Sequence, residues 1–138
     1  QDMSDKVLGA QAGSSGYLNF EGQPELLKNR VKDQKANQYQ SFNEALIDLK
    51  NDRIDALLID RVYANYYLQS EGILNDYNVF SAGFESEAFA VGVRPADKTL
   101  LAALNQAFIS LYQEGKFQEI SQKWFGEDVA TSQVKNQE

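Results

Sequence analysis

Two short apolar strands, each running through a polar corner into a helix, constrain this chain more than any other feature. The first carries Val7, Leu8 and Ala10, then the turn Gly13-Ser14-Ser15-Gly16, then Tyr17, Leu18 and Phe20, which suit the opening of a helix. The second is Ala56-Leu57-Leu58-Ile59, ending in Asp60. It is apolar on both alternating faces, as a central parallel strand covered by helices on both sides must be. Val62, Tyr63, Tyr66 and Tyr67 follow at helical spacing, with Gly72 as a stop. Strand-helix alternation of this kind predicts an α/β fold with an open parallel sheet flanked by helices. Such sheets bind ligands in the crevice beyond the carboxyl ends of their strands. The Gly13 turn and Asp60 are therefore expected at one sheet edge.

The remaining segments fit between and after these two. Gly22 and Pro24 break the helical pattern between Tyr17 and Val31 into two pieces, with Pro24 in the first turn of a second short helix. Gln38 to Phe42 alternates as a strand. Phe42, Ala45, Leu46 and Leu49 then lie on one helical face, with Asn43 as the expected N-cap. Asp48 and Asp52, one helical turn apart, read as a solvated helix end rather than a metal pair. Ser81 to Glu87 reads as a connector or extended crossover and Ala88 to Arg94 as a strand closed by Pro95. From Asp97 to Glu114 a helix carries the stripe Leu100, Leu101, Leu104, Ala107, Phe108 and Leu111, capped by Gly115. This stripe must bury itself somewhere, since covering each Leu or Phe is worth about 2 kcal/mol. A last helix, Lys116 to Phe125, carries Phe117, Ile120 and Trp124 and stops at Gly126; beyond it a polar, frayed tail is expected.

Composition narrows the chemistry. With 13 basic against 20 acidic residues the net charge is −7, which argues against nucleic acid and anionic membranes as partners. Cysteine and histidine are absent, which removes thiolate chemistry, disulfides, the usual general base and the usual transition-metal ligands. No apolar run approaches the ~20 residues of a membrane span, and an export signal, if the natural protein has one, is expected outside this chain. The Gly13-Ser14-Ser15-Gly16 turn has two readings: a Ser-capped helix, or an anion site in which helix N–H groups and hydroxyls receive a carboxylate or phosphate. Asp60 likewise is either a helix N-cap or a ligand for an ammonium. Taken as a pair, donors on one strand end and a carboxylate on another match the two charges of an amino acid. For an enzyme, only Asp60, Glu85, Glu87 and Tyr63 could serve as acid or base, and the serine turn lacks the spacing of a nucleophile elbow.

Three stretches, in order, carry a family resemblance: Val7 to Gly16, Leu46 to Asp60, and Gly115-Lys116-Phe117 through Lys123-Trp124-Phe125-Gly126. Together they resemble the extracytoplasmic solute-binding proteins of polar amino acid ABC transporters, the type II periplasmic binding proteins. The resemblance implies a Venus-flytrap fold whose two α/β lobes close on a free amino acid. Residues 1–84 would be the second lobe, 85–126 a hinge strand with the C-terminal segment of the first lobe, and 127–138 a polar tail. In that scheme Ser14 and Ser15 with their backbone amides take the ligand carboxylate, Gln11, Ala12 and Gly13 line the floor, and Asp60 receives the α-ammonium. No cofactor or metal is implied. The family's opening portion, with its signal, most of the first lobe, an arginine clamp and an aromatic wall, has no match here, so the chain resembles a C-terminal fragment with half a site. Implied partners are a free amino acid, an importer permease and, through the orphaned terminal segment, a second copy by segment exchange or face-to-face association. The implied location is outside the cytoplasmic membrane, periplasmic or lipid-anchored. A ligand-sensing receptor module and a dehydratase-type enzyme share the fold and stay open, as do glutamine, arginine, histidine, cystine and acidic amino acids as ligands.

Overall fold

The computed structural model describes residues 2–136. Its contacts divide the chain into two compact units, Gln1–Arg61 with Asn78–Glu85, and Val62–Tyr77 with Ser86–Glu138.

The first unit is built on β1 (Leu8–Gln11), α1 (Ser15–Gly22), β2 (Ala36–Tyr39), α2 (Phe42–Lys50) and β3 (Ala56–Leu58). The strands form a parallel sheet in the order β2-β1-β3, with Leu8 level with Ala36 and Ala56, and Ala10 level with Gln38 and Leu58. The chain leaves β1 toward one neighbour and returns across it to the other. Right-handed crossovers therefore set α1 and α2 on opposite faces. Leu8 packs in a core with Met3, Phe20, Leu27 and Val31, against which Tyr17, Leu58 and Phe84 lean. Gly9, on the other face of β1 by strand alternation, has no room for a side chain: a Cβ there would lie 2.6 Å from Ile54 Cδ1 and 3.0 Å from Tyr39 Cε2.

Four expectations are corrected in this unit. The central strand is β1, whose Leu8, Gly9 and Ala10 are all buried, while β3 is half-buried at an edge of the sheet. A two-faced apolar run says that a strand is covered, not which neighbours it pairs with. The second strand spans Ala36–Tyr39 rather than Gln38 to Phe42, because pairing with β1 sets its register. The α2 N-cap is Ser41, not Asn43: its Oγ accepts the Glu44 N–H at 3.3 Å and Glu44 accepts the Ser41 N–H at 3.2 Å, a reciprocal capping box. After Pro24 the chain makes turns closed by bonds such as Asn29 N–H to Pro24 carbonyl (2.9 Å), not a second helix, since Leu27 and Val31 must reach the core.

The second unit is helical: α3 (Arg61–Ser70, whose first residue belongs to the other unit), α4 (Lys98–Gln113), α5 (Lys116–Phe125) and the short α6 (Ser132–Asn136). Gly115 at φ 76° turns α4 into α5, where Phe117 meets Phe108 and Tyr112 at ring-centroid distances of 6.4 and 6.2 Å. α5 is tied to α3 by Tyr66 beside Trp124 (6.1 Å) and by Gln69 Nε2 donating to the Lys123 carbonyl (3.2 Å). The frayed tail is corrected in part: Asp128 accepts from Tyr112 Oη (3.2 Å) and pairs with Lys135 (3.1 Å), which anchors α6. The strand expected at Ala88 to Arg94 is absent among the described residues; that segment is irregular, with Phe89 74 % exposed. A strand exists only by pairing its backbone with a neighbour, and no strand among the described residues pairs with this one. The α4 stripe is covered only in part: Phe108 meets Phe117 and Leu104 is half-buried, but no α4 residue is buried and Leu100, Leu101 and Leu111 are exposed.

Candidate functional site

β1 and β3 are parallel neighbours in register, so Gln11 to Ser15 and Asp60 emerge at the same, carboxyl edge of the sheet. Both corners lie within the first unit. Gln11, Ala12, Ser14 and Asp60 are half-buried, whereas Gly13 and Ser15 are exposed. Gly13 sits at φ 71°, the left-handed turn for which glycine is suited.

A helix leaves its first four N–H groups without intrahelical acceptors. Two of them are satisfied locally: Ser14 N–H donates to the Gln11 carbonyl (3.2 Å) and Tyr17 N–H to Ser14 Oγ (3.2 Å). The N–H groups of Ser15 and Gly16 are those that helix geometry leaves to an incoming anion. Ser14 Oγ itself donates to the Gln11 carbonyl at 2.9 Å, so its hydroxyl hydrogen is committed to the cap. The α1 start lies beside β3: a Cβ on Gly16 would stand 3.5 Å from Leu58 Cγ, an ordinary packing distance.

The third corner of this edge, after β2, is laced to the first. Ala12 N–H donates to the Tyr39 carbonyl (2.9 Å) and Gln11 Nε2 to the Gln40 carbonyl (3.1 Å). Tyr39 Oη donates to Asp48 Oδ2 (2.9 Å), and Arg53 donates to Asp48 Oδ1 (2.8 Å). Burial, reinforced by the neighbouring Asp48 carboxylate, pushes the Tyr39 hydroxyl above its ordinary pKa. The Arg53 and Tyr39 hydrogen bonds hold Asp48 below the usual carboxylate value. Asp48 is therefore a brace of the sheet. Reasoning from sequence passed over Tyr39, Gln40 and Glu44, although Ser41-Phe42-Asn43-Glu44 has the spacing of a capping box and would have marked the corner.

The model of the bacterial extracellular solute-binding proteins, family 3, matches residues 24–127. This chain belongs to that family. Membership in a family of solute-binding proteins sets aside the dehydratase-type reading. Among solved structures, the chain is similar to an ABC uptake transporter substrate binding protein from Streptococcus pneumoniae with bound histidine: 73 % identity, TM-score 0.78, covering 95 % of this chain and 53 % of that one. It is also similar to a polar amino acid ABC uptake transporter substrate binding protein from Streptococcus thermophilus, at 61 % identity and TM-score 0.79, covering 97 % and 51 %. Among curated proteins, the ABC transporter arginine-binding protein 1 of Escherichia coli (strain K12) is 30 % identical over 90 % of this chain and 49 % of its own length. The chain spans about half the length of these relatives. No helix among the described residues is long and apolar enough to cross a membrane.

Proposed function

We propose that this chain carries one side of the amino acid site of an ABC importer's extracytoplasmic binding protein. The observation that carries the reading is the sharing of one sheet edge by the α1 start and Asp60. Ser15 and Gly16 offer N–H groups to the ligand carboxylate, Ser14 aims them through its cap, Gln11 to Gly13 form the floor, and Asp60 takes the α-ammonium. A zwitterion satisfies both poles at once, whereas a phosphate or a simple cation would satisfy only one. Relatives described with histidine bound and as arginine-binding favour an amino acid as the ligand class. In a protein of the relatives' length, the residues beyond this span would supply the rest of the site. Residues 1–84 would then form the second lobe, and 85–126 a hinge strand with part of the first. The permease of the importer is the protein partner this reading requires, and the outer side of the cytoplasmic membrane, periplasmic or lipid-anchored, is its place of action.

The test is calorimetry of amino acid binding by the complete natural protein and its Asp60→Ala variant. Leaving an ammonium without its carboxylate costs about 2–5 kcal/mol, so affinity should fall at least thirtyfold while the circular dichroism spectrum is unchanged. Unchanged affinity would remove Asp60 from the site.

A further inference from the structure

The floor residue Gln11 is held by a relay that begins at Glu44. Glu44 Oε2 accepts the N–H groups of Gln40 (3.1 Å) and Ser41 (3.2 Å). The peptide between Gln40 and Ser41 is thereby gripped on its N–H side. A planar trans peptide turns its carbonyl the opposite way, and this carbonyl accepts Gln11 Nε2 at 3.1 Å. Because a carbonyl can only accept, the chemistry of the partner decides which arm of the Gln11 amide faces it. The other arm is the acceptor Oε1. Turning the amide over would set oxygen against oxygen at Gln40 and forfeit a hydrogen bond.

We propose that Glu44 is a positioning residue. It fixes Gln11 Oε1 as an acceptor at the ligand-holding edge, so that the site prefers amino acids with side-chain N–H donors over those ending in a carboxylate. The proposal rests on the amino acid reading above. An amide, imidazole or guanidinium N–H finds a lone pair at Gln11 Oε1. A side-chain carboxylate finds lone pairs facing its own, at the edge that already carries the Asp60 charge.

The test is competition calorimetry on the complete natural protein with the panel of natural amino acids. The tightest ligand should carry a side-chain N–H, and its affinity ratio to glutamate is the quantity to follow. Glu44→Ala should lower that ratio about five- to tenfold, the scale of one hydrogen bond. Glu44→Gln, which keeps an acceptor oxygen for the Gln40-Ser41 peptide, should restore it. Gln11→Leu should lower the ratio as Glu44→Ala does, and keeps the proposal testable should Glu44→Ala misfold. If Glu44→Ala weakens every ligand equally, or Gln11→Leu leaves the ratio intact, the positioning role is overturned. A wild-type preference for glutamate or aspartate overturns the selectivity while leaving the amino acid reading in place. Binding of no amino acid at all overturns both.

Discussion

The two units of this chain use similar apolar material to opposite effect. In the sheet unit, Leu8, Ala10, Phe20, Ala45 and Ile54 are almost wholly buried around β1. Among the described residues of the helical unit, only Ala64, Leu68 and Ser121 are buried, while Leu100, Leu101, Leu111, Ile120 and Trp124 are exposed. The difference is one of partners rather than of residue type. A parallel sheet with a helix on each face closes its own core. An amphipathic helix such as α4 buries its stripe only where another element presents a matching face. The candidate site corners sit on the unit that closes its own core, where a side chain can be rigidly positioned.

The sharpest way to break this comparison is to empty a side chain from each unit. Phe20 is fully buried, and Phe20→Ala should cost about 3–5 kcal/mol in denaturant unfolding. Leu101→Ala, at a position 42 % exposed, should stay within about 0.5 kcal/mol of the parent. Any self-association through α4 should weaken in the same variant, as read by sedimentation. Equal losses at the two positions would mean that α4 is as well packed as the sheet core. Overfilling sharpens the picture at intermediate cost. Gly9→Ala should destabilise by about 1–3 kcal/mol, and Ile54→Val, which removes the Cδ1 atom 2.6 Å from the new Cβ, should recover part of it.

Acid provides the smallest effect. Asp48 is held below its ordinary value by Arg53 and Tyr39 in the folded state. A depressed folded pKa contributes stability that is present above the unfolded value of about 4 and lost as pH falls through the lower folded value. Asp48→Asn should therefore lower stability slightly at neutral pH, where the ionised carboxylate contributes, and reduce the steepness of acid unfolding below about pH 4, where variant and parent converge. An unchanged acid limb would show that the Tyr39-Asp48-Arg53 brace is not felt by the fold.

What is legible in the amino-acid sequence is local. The alternation of apolar strands and helical faces, the stops at Gly72, Gly115 and Gly126, and the polar corners at Gly13 and Asp60 are all properties of a few consecutive residues. Short-range sterics and periodicity specify them. Non-local pairing was not legible. That β1 rather than β3 is central, that β2 begins at Ala36, and that Ala88 to Arg94 remains irregular depend on which backbones meet, and hydropathy does not carry that information.

The candidate site divides along the same line. Gln11, Ser14 and Asp60 could be picked out as polar residues at the ends of apolar strands. Their sharing of one edge followed from the parallel reading of the alternation. The commitment of the Ser14 hydroxyl to Gln11, and the path from Glu44 through Gln40 to the Gln11 amide, were decided only by folding. Gln11 and Gln40 are 29 residues apart, and a hydrogen bond across that separation exists only once β1 and β2 have paired. The amino acid sequence by itself determined the elements and their polar ends, because those follow from neighbouring residues. Tertiary structure decided which donors and acceptors are left to meet a ligand, because that depends on what the rest of the fold has already satisfied.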